Sequence, residues 1–234
     1  MVKLRTLRMN TPNHDQVALL LSGGLDSCVL AVDLATESKQ VHPIYVKQGL
    51  IWEHIELHWV RRFLDAVATG NIQLLREIEL PVLDVYDSHW STTGKQTPDH
   101  LSEDREVYLP GRNLLLLSKA ALFCALNHIP VIALGPLSAN PFPDSTPQFF
   151  SKFQEMASLA LNFSLSVHTP YLTLSKADVI RRGKHLPLQL SFSCISPVGF
   201  DHCGACNKCS ERRKAFQEAG VEDKTTYHAM PALS

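Results

Sequence analysis

The stretch Val17-Ala-Leu-Leu-Leu-Ser-Gly-Gly-Leu-Asp-Ser27 decides the fold of this chain. Its first five residues are continuously apolar, which is typical of a strand buried on both faces of a parallel sheet. The two glycines then allow a tight turn that approaches a ligand closely. A helix is expected from Asp26 to about Thr36, capped by Asp26 or Ser27. The free N–H groups at the start of such a helix attract negative charge, so the stretch predicts an anion site.

The pattern of a short apolar run followed by a longer helical stretch continues along the chain. This alternation predicts an α/β fold in which a parallel sheet has helices on both faces. Further strands are predicted at 41–46, at either 72–78 or 83–85, at 131–134 and at 167–172. Further helices are predicted at 53–68, 113–127 and 147–162, and from a Ser175 cap, with Asp178 at the third helical position, through Lys184. Surface loops are predicted at 88–106 and 137–147.

The composition of the 234 residues excludes several classes of protein. Hydrophobic residues make up 45% of the chain, which is enough apolar surface for a folded core and excludes disorder as the main state. The net charge of −1 disfavours a charge-driven nucleic-acid binder. The longest apolar runs are too short to span a bilayer, and residues 1–10 do not resemble a secretory signal. We therefore expect a cytoplasmic protein without a membrane or nucleic-acid partner.

Four of the six cysteines lie close together near the C-terminus, in the pattern C-x8-C-x2-C-x2-C. Four thiolates that close a tetrahedron, with no open position, predict structural zinc, with an iron–sulfur cluster as the chemical alternative. Unrelated buried or redox cysteines are the competing interpretation. The predicted ligands are Cys194, Cys203, Cys206 and Cys209. The change of composition near Ser193 suggests two domains, at 1–190 and 191–234.

Two other features have an ordinary structural interpretation. Cys28 and Cys124 fall on predicted helices and are expected to be simple buried residues. His54 and His58 lie one helical turn apart, and such a pair can bind zinc. Their order is H-x-E-x-H, which turns Glu56 away from the pair, so a partly solvated helix face is favoured.

The string Ser22-Gly-Gly-Leu-Asp-Ser27 resembles the SGGxDS motif of the PP-loop ATP pyrophosphatases. It is neither the GxxxxGK[ST] loop nor GxGxxG. The resemblance implies an adenine-nucleotide alpha hydrolase-like, Rossmann-like fold that holds ATP while a nucleophile attacks its α-phosphorus. Pyrophosphate then leaves, and an adenylated intermediate remains.

A second resemblance extends over residues 17–227. Leu109-Pro-Gly-Arg-Asn113, Gly135, Pro143-Asp144, Ser175-Lys-Ala-Asp178 and the segment from Cys194 to Tyr227 together resemble the 7-cyano-7-deazaguanine synthase (QueC/ExsB) family. The family implies that 7-carboxy-7-deazaguanine and ammonia are converted with ATP into the nitrile preQ0. It implies an acyl-adenylate, then an amide, then adenylation of the amide oxygen. ATP, Mg²⁺ and Zn²⁺ are the implied cofactors, and a homodimer is the expected assembly.

The resemblance also implies the residues of the site. The candidate ATP-binding residues are Leu21, Ser22, Gly23, Gly24, Asp26, Ser27 and Gly135. The candidate catalytic residues are Asp26, Ser27, Arg112 and Lys176, since Arg offers a bidentate fork and Lys a point charge to phosphate or carboxylate.

The segments 45–53 and 137–145 depart from the family pattern, and both follow predicted strands, where substrate binds. The candidate acid-binding residues there are Lys47, Gln48, Trp52, Glu53, Phe142 and Asp144. Trp52 and Phe142 can stack on a flat ring, Gln48 can pair with a purine edge, and Lys47 can meet a carboxylate. The departures leave open an adenylating amide synthase or ligase for another acid or deazaguanine derivative. A tRNA-modifying PP-loop enzyme is a further alternative, which the net charge of −1 and the use of four cysteines as metal ligands disfavour. A non-enzymatic nucleotide-binding zinc module is another, which the intact SGGLDS string disfavours.

Overall fold

The computed structural model describes residues 15–37 and 40–232. Their five strands form one parallel sheet in the order β3-β2-β1-β4-β5. The strands are β1 (Gln16–Leu20), β2 (Gln40–Lys47), β3 (Arg76–Glu79), β4 (Val131–Ala133) and β5 (Ser166–His168). The helices are α1 (Leu25–Thr36), α2 (Glu53–Ala66), α3 (Leu83–Tyr86), α4 (Trp90–Thr93), α5 (Arg112–Asn127), α6 (Pro147–Leu161), α7 (Lys176–Arg182) and α8 (Asn207–Ala219). The strand order reverses between β1 and β4, which opens a crevice at their carboxyl ends.

Alternating residues of β1 point into two separate cores, as the period of a strand requires. Val17 and Leu19 pack in the core that α1, α2, α7 and α8 cover. Ala18 and Leu20 pack in the core that α5 and α6 cover. The predicted α/β sheet with helices on both faces is therefore confirmed.

Two predicted strands differ from the structure. The third strand, Arg76–Glu79, overlaps the predicted range 72–78 and ends one residue beyond it. The alternative range, 83–85, belongs to the short helix α3. Lys47 at the end of β2 already pairs with Glu79, so the register of β2 has no position for a strand at 83–85. The strand predicted at 167–172 ends at His168, since Pro170 has no N–H for a ladder hydrogen bond.

The segments predicted as loops contain short helical turns. The segment 88–106 includes α4 and the start of a 3₁₀ turn at Asp104–Val107, and 137–147 includes one at Pro143–Ser145. Trp90 of α4 stacks on Trp52, with ring centroids 5.7 Å apart. The Asn207 side chain donates to the Ser102 carbonyl at 2.8 Å. These contacts to distant segments, which local polarity does not reveal, order the region.

The cysteine-containing segment packs on the sheet domain. Ala215 and Phe216 of α8 are buried in the same core as β1 and α1. The domain boundary at residue 190 stays a prediction. No helix within 15–37 and 40–232 is long and apolar enough to cross a bilayer. Residues 1–10, on which the prediction about a secretory signal rests, lie outside the described residues.

Candidate active site

A cavity of about 320 Å³ opens at the crevice between the carboxyl ends of β1 and β4. This is the position at which open α/β sheets bind ligands. Its walls are formed by the first turns of α1 and α7, by the residues around the starts of α2 and α5, and by the segment that leads to the cysteines. The predicted site residues that line it are Leu21, Ser22, Gly24, Asp26, Ser27, Trp52, Arg112, Gly135, Phe142, Asp144 and Lys176.

The turn after β1 requires glycine at position 23. Gly23 has φ +81°, and a Cβ there would lie 2.6 Å from Cγ2 of Val60. Helix α1 begins at Leu25 with Gly24 as its N-cap and no side-chain cap, so the prediction that Asp26 or Ser27 caps it is wrong. Both residues lie inside the first turn, where the Ser27 hydroxyl donates to the Gly24 carbonyl at 3.1 Å. Both residues also line the cavity.

A network of four charges joins this turn to α7 and α8. Lys176 Nζ lies 2.7 Å from Glu211 and 3.6 Å from Asp26, and Lys208 Nζ lies 2.7 Å from Glu211. Burial alone would lower the pKa of Lys176, but the carboxylates of Asp26 and Glu211 raise it above its usual value. Burial would raise the pKa of Glu211, but the two lysines hold it at about 2. Lys176 is therefore a fixed cation at the cavity wall.

The Asp26 carboxylate has a different environment. Burial raises its pKa, which the Lys176 charge partly offsets. Its Oδ1 atom is buried and has no hydrogen-bond partner among the described residues. A buried acceptor without a partner is costly, so this oxygen is ready for a ligand.

The start of α5 places Arg112 at the cavity. Arg112 Nε donates to Oε1 of buried Gln48 at 3.1 Å, which fixes the guanidinium. At the next residue of α5, the Asn113 backbone N–H donates to the Asp144 carboxylate at 2.9 Å, and the Asn113 side chain donates to the Asp144 carbonyl. Two motifs that are separated in sequence, at 109–113 and 143–144, thus contact each other.

Four of the predicted site residues do not line the cavity. Gly23 lies in the turn itself, and its carbonyl accepts from the Phe192 backbone N–H at 2.7 Å. Lys47 forms an ion pair with Glu77 at 2.8 Å. Gln48 lies behind Arg112, and Glu53 accepts from the Gln48 and Gly49 backbone N–H groups. Their roles toward a ligand stay predictions.

Two aromatic pairs also line the cavity. Trp52 stacks on Trp90 with ring planes 19° apart. Tyr108 stacks on Phe142 with centroids 4.9 Å apart and planes 30° apart. All four residues belong to the cavity wall. Trp90 lies in the segment predicted as a surface loop and Tyr108 lies just after it, so sequence reasoning missed both.

Sequence reasoning also missed Glu56. Its side chain is only 7% exposed, lines the cavity and accepts a hydrogen bond from the Tyr45 hydroxyl at 2.5 Å. Burial raises its pKa to about 7, against the opposing effect of Arg112. The available signal was its spacing: Trp52, Glu56, Val60 and Phe63 form one buried stripe of α2 at helical intervals. A charged side chain on an otherwise apolar, buried helix face indicates a functional site.

The four C-terminal cysteines form a candidate metal centre. Their Sγ atoms all lie within 4.8 Å of one another, and all four residues are buried. The Cys194–Cys206 and Cys203–Cys209 sulfur pairs are each 3.9 Å apart. A tetrahedron with metal–sulfur bonds of about 2.3 Å has edges of roughly 3.8 Å, so this arrangement fits one metal ion. Gly204 is required here, since a Cβ would lie 1.6 Å from the Ala229 carbonyl oxygen.

Outside this cluster, the histidine and remaining cysteine predictions have simple outcomes. Within the described part of the chain, the cysteine cluster is the only group of three or more possible metal ligands. His54 is exposed, and the His58 ring packs on Phe200 with centroids 4.7 Å apart. Cys28 and Cys124 are buried in α1 and α5, as predicted.

Comparison with known proteins relates this geometry to a family. The profile described as "Queuosine biosynthesis protein QueC" matches residues 16–220. A 7-cyano-7-deazaguanine synthase from Methanothrix thermoacetophila is 32% identical, over 89% of this chain and 96% of the relative. Proteins of the same name from Anaeromyxobacter dehalogenans and Erythrobacter litoralis are 30% and 31% identical, over 93% and 94% of this chain and 97% and 96% of theirs. These matches and the parallel sheet confirm the predicted PP-loop fold, and the chain belongs to the QueC family of queuosine biosynthesis proteins.

Proposed function

We propose that this protein is an ATP-dependent carbon–nitrogen ligase that converts 7-carboxy-7-deazaguanine and ammonia into 7-cyano-7-deazaguanine. The observation that carries the proposal is that one cavity joins the SGGLDS turn and Arg112 to two stacked aromatic pairs. A triphosphate would bind to the turn, and a flat aromatic acid would bind to the aromatic pairs. The name of the relatives, 7-cyano-7-deazaguanine synthase, supports this substrate.

The phosphate side of the cavity is suited to ATP. Ser22, Gly24, Ser27 and the free N–H groups of the first turn of α1 would bind phosphate oxygens. Gly135 lies beside this turn at the end of β4, because a Cβ there would be in van der Waals contact with the Asp26 carbonyl at 3.5 Å. The unpartnered Asp26 Oδ1 fits Mg²⁺, which prefers one or two carboxylates beside substrate phosphates and would neutralise phosphate charge when bound.

The acid would lie between the aromatic pairs, with its carboxylate toward Arg112. A guanidinium held at Nε by Gln48 keeps its other N–H groups free for a carboxylate. Lys176, at the first position of α7, would stabilise the charge that develops on the α-phosphate as the carboxylate attacks. Ammonia would then displace AMP to give the amide, and a second adenylation and loss of AMP would give the nitrile.

The metal centre and the assembly belong to the same proposal. Four buried sulfur ligands with no open position favour structural zinc. The zinc would fix the position of the segment from which Ser193 and Lys208 line the cavity. Exposed apolar residues on neighbouring α5 and α6 support a homodimer. They are Leu122 (48% exposed), Leu126 (76%), Met156 (53%) and Leu159 (85%). Light scattering of the purified protein would measure the assembly.

The test is a comparison of ATP consumption with and without the acid. With ATP, ammonium and 7-carboxy-7-deazaguanine, AMP and pyrophosphate should form, and omitting the acid should abolish their formation. ATP consumption that ignores this acid but responds to a different carboxylic acid would support an amide synthase or ligase for that acid. ATP consumption that responds only to tRNA would support a tRNA-modifying enzyme.

A further inference from the structure

Three carboxylates among the described residues line the cavity, and their partners differ. Asp26 faces the ammonium group of Lys176 at 3.6 Å. Asp144 accepts a backbone N–H at the start of α5, where the helix dipole favours negative charge. Glu56 alone has an uncharged phenol, that of Tyr45, as its hydrogen-bond partner. It is therefore the cavity carboxylate whose side-chain hydrogen-bond partner carries no charge.

Glu56 also lies at the junction of the two halves of the cavity. A Cβ on Gly23 would lie 3.6 Å from Glu56 Cγ, so the side chain packs against the phosphate-binding turn. The backbone N–H of Glu56 donates to the carbonyl of Trp52, one helical turn earlier, and Trp52 belongs to the aromatic wall. In the proposed reaction, the acyl carbon bonded through oxygen to the α-phosphate would lie at this junction.

We propose that Glu56 is the general base that removes a proton from the ammonia nitrogen as the carbon–nitrogen bond forms. Ammonia attacks the acyl carbon, and the nitrogen of the adduct carries a positive charge. One N–H bond then breaks, and its proton passes to the Glu56 carboxylate, which becomes a carboxylic acid. The carbon–oxygen bond to the adenylate breaks, and AMP leaves with the electron pair. This inference rests on the proposed function.

The surroundings of Glu56 suit this task at neutral pH. Burial raises its pKa to about 7, which keeps a large part of it ionised and basic near neutrality. The titratable or charged groups that face it are Tyr45 of β2, Arg112 of α5, Cys28 of α1 and Glu53 of its own helix. Burial and the Glu56 charge raise the pKa of Tyr45, so the phenol stays a donor.

The variant Glu56→Gln keeps an acceptor for the Tyr45 hydroxyl but cannot take up a proton. Two partial reactions separate its effects. Acid-dependent exchange of labelled pyrophosphate into ATP, without ammonium, measures adenylation alone. Amide and nitrile formation with ammonium chloride measures the step at nitrogen. We expect near-normal exchange and a loss of about 100-fold or more in carbon–nitrogen bond formation. Glu77→Gln, which removes a carboxylate outside the cavity, should change neither.

A second variant and a pH profile keep the inference testable if Glu56→Gln folds poorly. At a fixed concentration of free ammonia, the wild-type rate of bond formation should fall below about pH 7, and Tyr45→Phe should shift this limb to higher pH, because it removes a hydrogen bond that favours the carboxylate. Bond formation at the wild-type rate in Glu56→Gln, equal loss of exchange and bond formation, or an unshifted limb in Tyr45→Phe would overturn the inference. Wild-type protein without acid-dependent exchange would contradict the proposed function itself.

Discussion

The side-chain oxygen of Gln48 accepts a hydrogen bond from Arg112 Nε at 3.1 Å, across a buried interface between the end of β2 and the start of α5. Gln48 does not itself line the cavity. We therefore expect that Gln48, which was predicted to pair with a purine edge, orients the Arg112 guanidinium toward the acid instead.

Gln48→Met should lower kcat/KM for the acid about tenfold, because Arg112 loses the bond that fixes it. The KM for ATP should stay the same. Gln48 Nε2 is buried without a partner among the described residues. Removing this costly unpaired donor should offset the loss of the hydrogen bond to Arg112, so the thermal stability should change little. Steady-state kinetics would measure the effect, with Gln73→Met as a control outside the cavity. An unchanged KM and kcat for the acid would show that Arg112 does not need Gln48.

Asp26→Asn should reduce AMP formation at least about 100-fold, because the substitution weakens the proposed magnesium ligand. Lys176 keeps its ion pair with Glu211, so the fold and the metal content should persist. Asp178→Asn is the matched control: it weakens the capping box of α7, which costs about 1 kcal/mol of stability, but leaves the cavity intact. Pyrophosphate release would distinguish them, and a normal rate in Asp26→Asn would refute the assignment.

Cys206→Ser should release the bound metal and lower the melting temperature by about 5 °C or more, because metal binding and folding are coupled in such sites. Purified wild-type protein should contain about one zinc ion per chain by elemental analysis. Cys124→Ser, at a buried cysteine of α5, should keep the metal. Iron in place of zinc, or well-folded wild-type protein without metal, would contradict the structural zinc site.

The stability of the protein should fall as pH rises from about 4.5 to about 7, in part through Glu56. Its folded pKa is raised to about 7 from 4.5, so the native state binds more protons than the unfolded state within this window. The resulting loss of unfolding free energy is roughly 3 kcal/mol at pH values above 7. Urea unfolding at pH 5 and pH 8 should show that Glu56→Gln loses this part of the pH dependence. An identical pH dependence in both proteins would mean that Glu56 is ionised throughout.

Much of the fold followed from local pattern. The continuous apolar run before Ser22, the helices predicted at 53–68 and 147–162, and the Ser175 cap each appear in the structure, with the two helices ending one or two residues early. These features depend on neighbours in sequence, which is why the sequence alone reveals them. Strand β5 was predicted too long because the effect of Pro170 on the ladder was overlooked. The alternative strand at 83–85 was wrong because the register of β2 with β3 leaves no position for it.

The candidate site likewise has a part that local sequence motifs predicted and a part that they did not. The SGGLDS turn and the cysteines are contiguous motifs, and the structure brings the members of each together. Trp90 and Tyr108 reach the cavity only through long-range packing, against Trp52 and Phe142 respectively. No local pattern announces such contacts, and a polar segment that folds over a cavity looks like an exposed loop.

In the proposed reaction, this cavity turns an aromatic acid into a nitrile with nitrogen from ammonia. The most direct measurement is mass spectrometry of the product formed from 7-carboxy-7-deazaguanine, ATP and ¹⁵N-ammonium. We expect 7-cyano-7-deazaguanine that carries one ¹⁵N atom, with two AMP released for each nitrile. Accumulation of the ¹⁵N-amide with one AMP, or recovery of the unreacted acid, would contradict it.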